Sequence, residues 1–92
     1  MKKIFMCSLC CEGIIGGALY LDEISIKYKT QKLTVSKLYR EINLPLNEVV
    51  EVSWKWIIFP VATFQMANGK KYTFIIFNKK RFNKFYNEYI DN

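Results

Sequence analysis

A chain of 92 residues has room for one domain built on one hydrophobic core, and at this size folding buries roughly 60–65% of the surface the unfolded chain exposes. Most of its apolar residues, 51% of the composition, are therefore committed to packing, which leaves few for a ligand pocket. Fourteen Lys and Arg against eight Asp and Glu give a net charge of +6 without a single histidine. This balance favours anionic partners such as phospholipid headgroups or nucleic acid, though it also serves plain solubility, and it removes the commonest general base from any catalytic scheme.

The N-terminus, MKKIFMCSLCCEG, sets Lys2 and Lys3 before an apolar run that stops at Glu12 after eight residues. That is the lower limit for the core of a secretory signal, and no small-x-small cleavage site follows. No window reaches the roughly 18 uninterrupted apolar residues of a membrane span, so a cytoplasmic chain is expected, peripheral at the inner membrane face if it meets lipid at all. Residues 1–12 are expected to be a tail or an extra edge segment, and 13–92 the domain itself. Cys7, Cys10 and Cys11 are the only cysteines, an odd number in one stretch and hence no disulfide framework. Cys7-x-x-Cys10 lacks the two further ligands a tetrahedral zinc needs, and no strand-helix-strand context supports a redox pair. A structural role is expected for all three, with no metal and no cofactor.

The rest of the chain is a succession of short alternating runs. GGALYL, Gly16 to Leu21, leads across Asp22 into EISIKYK, where Ile24, Ile26 and Tyr28 oppose Glu23, Ser25, Lys27 and Lys29, the period of a half-buried strand. After the polar stretch TQKLTVSK, Ile42 and Leu44 alternate with Glu41 and Asn43 until Pro45, which has no N–H for a ladder. In EVVEVSWKW, Val50, Val52, Trp54 and Trp56 oppose Val49, Glu51, Ser53 and Lys55. Pro60 precedes VATFQMA, with Ala62, Phe64 and Met66 on one face, and Asn68-Gly69 then predicts a two-residue hairpin turn with both residues at positive φ. The returning strand, Lys70 to Phe77, carries Tyr72, Phe74 and Ile76 on one face and Ile75 and Phe77 on the other, so a covering element is expected over the second face.

The last fifteen residues supply that element. Phe82, Phe85, Tyr86, Tyr89 and Ile90 stand at i, i+3, i+4, i+7 and i+8, the stripe of an amphipathic helix, with Asn78 at the N-cap position. The spacing predicts that these aromatics serve the core and are not a recognition surface. The whole reads as a mainly β protein, a partly open barrel of six to seven antiparallel strands whose open end is capped by a terminal helix.

These segments resemble the PH-like superfold, in particular small bacterial PH-like and GRAM domain proteins. The resemblance is carried by GGALYLDEISIKY as the first hairpin, INLPLNEVVEV as a strand, turn and strand, NGKKYTFIIF as the last hairpin and RFNKFYNEYI as the terminal helix, and covers residues 13–90. It implies a binding or scaffolding module, contacting phosphoinositides or other proteins, and no enzyme. Where the family pins lipid phosphates with basic residues, this first hairpin loop has Asp22 and Glu23, and only Lys27 and Lys29 match the outward basic positions, with Lys32, Lys37 and Arg40 beyond them.

Two partner readings follow. The first is another protein or a second copy of the chain, because Trp54 to Phe59 is an apolar run longer than a half-buried strand needs and makes Trp56, Ile57 and Phe59 a candidate exposed patch. The alternative is an anionic membrane surface met by Lys27, Lys29, Lys70, Lys71, Lys79, Lys80, Arg81 and Lys84. At about 1 kcal/mol for each cation, this requires at least four of them on one side. Nucleic acid is not expected as a partner: KKYTFIIF approaches an RNA-recognition signature, with Tyr72 and Phe74 as stacking candidates, but the order of elements does not fit. Scattered carboxylates and no phosphate-cradling glycine loop leave neither catalysis nor a small-molecule substrate to expect.

Overall fold

The computed structural model describes residues 2–10, 14–31 and 40–90. The alternating runs become seven strands, β1 (Lys3–Cys10), β2 (Ile14–Leu21), β3 (Ser25–Lys29), β4 (Glu41–Pro45), β5 (Val49–Trp56), β6 (Pro60–Met66) and β7 (Lys71–Ile76), followed by helix α1 (Lys79–Ile90). All pairings are antiparallel, and the order across the sheet is β4-β3-β2-β1-β7-β6-β5. The two edge strands, β4 and β5, are thus consecutive in sequence, joined only by the 3-10 turn Leu46–Glu48. Laid flat, seven strands would hold their edges about 29 Å apart, whereas four Cα steps reach at most about 14 Å. The sheet has to curl, and it forms a half-barrel with its seam between β4 and β5.

Residues 3–10, expected as a tail or an extra edge segment, are instead the central strand. β1 pairs with β2 from Lys3↔Leu21 to Cys10↔Ile14 and with β7 from Cys7↔Ile76 to Leu9↔Phe74, and it buries Phe5, Cys7 and Leu9. The expected boundary at 12 and 13, together with Cys11, Lys32 and Lys37, lies outside the described residues.

Local chemistry explains where the strands turn. Asp22 Oδ1 accepts hydrogen bonds from the Ile24 and Ser25 N–H groups at 2.9 and 2.8 Å, a side-chain-closed turn that lifts Ile24 out of the expected β3 face, leaving Ile26 and Tyr28 as its buried members. A register shift between Val49 and Glu51 likewise turns Val50 outward, so Val49, Val52 and Trp54 are the β5 residues that pack on the core. The β6–β7 hairpin forms at Asn68-Gly69 with a loop one residue longer than expected: Gly69 N–H donates to Met66 O and Met66 N–H to Lys70 O, closing a three-residue loop in which Gly69 takes φ 89°. A type I turn followed by a left-handed residue suits the twist of a hairpin as well as the two-residue form does.

Asn78 caps α1, its Oδ1 accepting from Arg81 N–H at 3.2 Å. The helix does not cover the second face of β7. Its stripe enters the concave side, where the Phe82 ring lies 5.2 Å from Phe5, 6.1 Å from Trp54 and 6.0 Å from Phe64, with Tyr86 stacked on Phe82 at 5.7 Å. Those inward rings offer a deeper apolar site than Ile75 and Phe77 do, and α1 plugs the half-barrel. Phe77 consequently stays half-exposed on the convex side.

One glycine is fixed by space. Gly17 faces inward beside Tyr28, whose hydroxyl donates to Ile15 O at 2.8 Å; a Cβ at Gly17 would meet Lys29 O at 2.5 Å and the Tyr28 ring at 2.8 Å. Overpacking of this kind costs about 1–3 kcal/mol, so Gly17→Ala is expected to lower the urea midpoint by that equivalent. Gly16→Ala, which meets nothing within 4 Å, should change stability by less than about 0.5 kcal/mol.

Candidate interaction surface

Strand geometry disposes of the cysteine motif first. Residues three apart on a strand point to opposite faces: Cys7 is buried in the core and Cys10 lies on the outer side, half-buried, so the two thiols of Cys7-x-x-Cys10 do not converge. Burial pushes the Cys7 thiol up to about 12; Cys10 is also raised by burial, against the pull of a backbone hydrogen bond at Ile75. Among the described residues no three His, Cys, Asp or Glu side chains could hold a metal ion together. A cleft of about 570 Å³ beside the end of α1 has Glu23 as its one carboxylate, with Lys27, Asn43 and Tyr89. Phe74, a stacking candidate from the sequence, is fully buried.

The basic residues divide sharply by position. Lys27 and Lys29 point outward from β3, opposite Tyr20 and Ala18 of β2, and the Lys29 ammonium lies 5.9 Å from the centre of the Tyr20 ring, which Lys2 also approaches at 5.2 Å. Arg81 and Lys84 stand 5.6 and 5.4 Å from the centre of the Phe85 ring, and Lys3 of β1 stands 4.6 Å from it. Ile4 joins the two groups: it pairs with Tyr20, and its carbonyl accepts from the Arg81 guanidinium at 3.0 Å. Arg81 is further seated against Phe5 at 4.6 Å. Five cations, Lys2, Lys3, Lys29, Arg81 and Lys84, thereby flank one point on β1. Lys79 lies 5.0 Å from the centre of the Trp54 ring and Lys80 is exposed on the first turn of α1. Lys70 and Lys71 do not join them, standing at the opposite end of β7 from α1.

Acids collect at the β2–β3 turn, directly after Leu21, the partner of Lys3, and at the end of α1. The Tyr89 hydroxyl is pushed above its ordinary value by burial and by the carboxylates of Glu23, Glu88 and Asp22, which marks the C-terminal end of α1 as the acidic end. Burial acts to raise the Asp22 carboxyl, yet the Ile24 and Ser25 N–H donors, Lys27 and the Ser25 hydroxyl together hold it below its usual range. The helix therefore carries no acid in its first turn and no base in its last, the reverse of what its macrodipole favours.

Next to the cations runs an apolar strip. Trp56, Ile57 and Ile58 at the tip of the β5–β6 hairpin are 69–77% exposed. Phe59 packs its ring 5.1 Å from Phe77, and the N–H of Phe77 reaches Met6 O at 3.5 Å. Met6 and Ile4, on the outer face of β1, are 78% and 56% exposed. Trp56, Ile57 and Phe59 thus belong to a longer surface that continues over Ile58, Phe77 and Met6 to the cations around Ile4. Lys2, Lys3, Ile4 and Met6 lie in a segment whose apolar outer face hides its strand period, and Phe85 packs on the core as its helical spacing predicts while also meeting the three cations. Comparison with models of known protein families and with curated proteins finds no match for this chain.

The buried Cys7 gives a test of the interior beside this surface. Because its folded value lies above the ordinary 9.0, the stabilisation is fully present below that pH and is lost as pH rises toward the folded value, at about 1.4 kcal/mol per unit. The urea midpoint of the native protein should fall between pH 9 and 11 more steeply than that of Cys7→Val, and iodoacetamide should label Cys10 well before Cys7.

Proposed function

We propose that this chain is a non-catalytic interaction module that docks on an anionic membrane surface, in the manner of the PH-like and GRAM-like proteins it resembles. The observation that carries the reading is the gathering of Arg81, Lys84 and Lys3 around Phe85 near the middle of α1, with Arg81 in the first turn, against the helix dipole. Cations in the first turn, Lys79, Lys80 and Arg81, cost the fold a few tenths of a kcal/mol each, and like charges brought within reach of one ring repel. An arrangement that works against stability is what an anion-binding surface requires, and a phosphate-bearing headgroup would relieve both the repulsion and the dipole. Of the eight cations expected from the sequence, Lys29, Arg81 and Lys84 flank this point, and Lys2 and Lys3 join them. The acidic hairpin at Asp22 and Glu23 borders this group, directly after Leu21, the partner of Lys3, and Asp22 is occupied in closing its own turn.

A second reading, docking to another protein or to a second copy, is favoured by one specific observation: the apolar strip extends along β1 to Met6 and Ile4, a broader face than a single insertion point. Among the described residues no helix is long and apolar enough to cross a membrane.

Co-sedimentation with vesicles of phosphatidylcholine, and of phosphatidylcholine with phosphatidylglycerol, tests the first reading. Binding to the anionic vesicles alone, weakening with salt, is expected, with Lys84→Ala reducing affinity about fivefold, the equivalent of about 1 kcal/mol for one surface cation. Equal binding to both vesicle types, or no binding by a protein that sediments as a stable dimer, would overturn it in favour of the second.

A further inference from the structure

We infer that the β5–β6 hairpin tip, Ile57, Ile58 and Phe59 with Trp56 at its shoulder, penetrates the apolar layer of the bilayer while neighbouring lysines remain among the headgroups. The inference rests on the membrane reading above and adds to it an insertion element and an orientation.

Hairpin tips are ordinarily made of Gly, Asn, Asp, Ser and Pro, which satisfy backbone geometry in water. Here the last cross-strand pair is Trp56↔Pro60, and the three residues between them are two isoleucines and a phenylalanine. Among the described residues, of the four from Trp56 to Phe59 only Phe59 meets another ring, that of the half-exposed Phe77; none is buried and none contributes to the core. The most protruding part of the ribbon is thus its most apolar part, an arrangement unfavourable in water and favourable in hydrocarbon.

The charges fix the occupant. Lys55 immediately precedes the shoulder, and Lys79 lies over Trp54, two residues further back. Glu51 of the same strand and Glu48 of the turn before it are about 17 Å or more from Trp56 along the chain. A collar of lysines just behind an apolar tip, with carboxylates held away, matches the layering of an anionic membrane: apolar interior, indole at the interface, phosphates outside. A second copy of this chain would bring its own cations against this collar. With the tip inserted, the neighbouring strip over Phe77 and Met6 faces the lipid surface, and the cations around Ile4 come to headgroup level.

The experiment uses Trp56 as the reporter. The protein contains two tryptophans, so Trp54→Phe leaves Trp56 alone. Its emission is followed on adding phosphatidylcholine–phosphatidylglycerol vesicles, with and without bromine on the acyl chains. A blue shift with quenching by the brominated chains is expected, and Ile57→Ser with Ile58→Ser should bind the same vesicles at least tenfold more weakly with an unchanged thermal midpoint, since neither side chain is in the core. The unsubstituted protein provides the same readout should Trp54→Phe disturb the packing on Phe82: there the expected result is partial quenching, from Trp56 alone. Binding without blue shift or quenching would overturn the insertion and leave the electrostatic docking intact. No binding to anionic vesicles would overturn both. A dimer that dissociates on Ile57→Ser with Ile58→Ser, in a protein whose Trp56 ignores lipid, would assign the tip to self-association instead.

Discussion

The fold depends on the packing of Phe82 against Phe5, Trp54 and Phe64. A seven-stranded sheet curled about a short turn between its own edges leaves its concave side open, and a half-barrel without a plug would present Phe5, Phe64 and Phe74 to water. Phe82 reaches β1, β5 and β6 at once, and Tyr86, stacked on it, extends the plug toward the seam. The rings meet mostly edge to face, the geometry in which aromatic pairs gain beyond simple burial. Because the helix occupies the interior, it covers nothing outside, and the convex face of β1 and β7 is left to whatever the protein meets.

That division accounts for what could be read in the sequence. β3, β4 and β6 were legible because their outward residues are polar, so alternation survives in Lys27 and Lys29, in Glu41 and Asn43, and in Thr63 and Gln65. The helix was legible from its stripe and from Asn78. β1 was not, for a specific reason: Ile4, Met6 and Cys10 on its outer face are as apolar as Phe5, Cys7 and Leu9 on its inner one, so the period of two disappears and the segment imitates a signal core. The outward residues that hid the strand form part of the exposed strip. The mistaken assignment of the second face of β7 has the same root, since an exposed apolar face was assumed to need cover from within the chain. Of the surface itself, Trp56, Ile57 and Phe59 could be picked out by run length, whereas the convergence of Lys3, Arg81 and Lys84 depends on a pairing between the first strand and the last helix that no local pattern encodes.

Charge placement follows a different logic from packing. The aromatic core of α1 would be served by acids in the first turn and bases in the last, and the sequence does the opposite at both ends. Arg81 shows how the resulting cations are kept ordered, held by the Ile4 carbonyl and the face of Phe5, so that its guanidinium is positioned with little entropy left to lose. Polarity along one helix divides the surface into a basic end beside the apolar strip and an acidic end around Tyr89.

The central position of β1 also sets the order in which the chain can become a protein. Cys7 pairs with Ile76, so the strand made first has one of its two neighbours made almost last, and the intervening chain must be synthesised before the sheet can close across its middle. Contacts of such separation slow folding, and until β7 arrives one side of a strand apolar on both faces has no partner. The three-stranded ribbon β5–β6–β7 and the four-stranded sheet β1 to β4 are each formed from chain neighbours; the β1–β7 seam, the helix plug and core contacts such as Tyr28 against Phe74 at 5.5 Å unite them. During synthesis the first half therefore waits with a bare hydrogen-bonding edge along KIFMCSLC, the period of greatest exposure to mispairing.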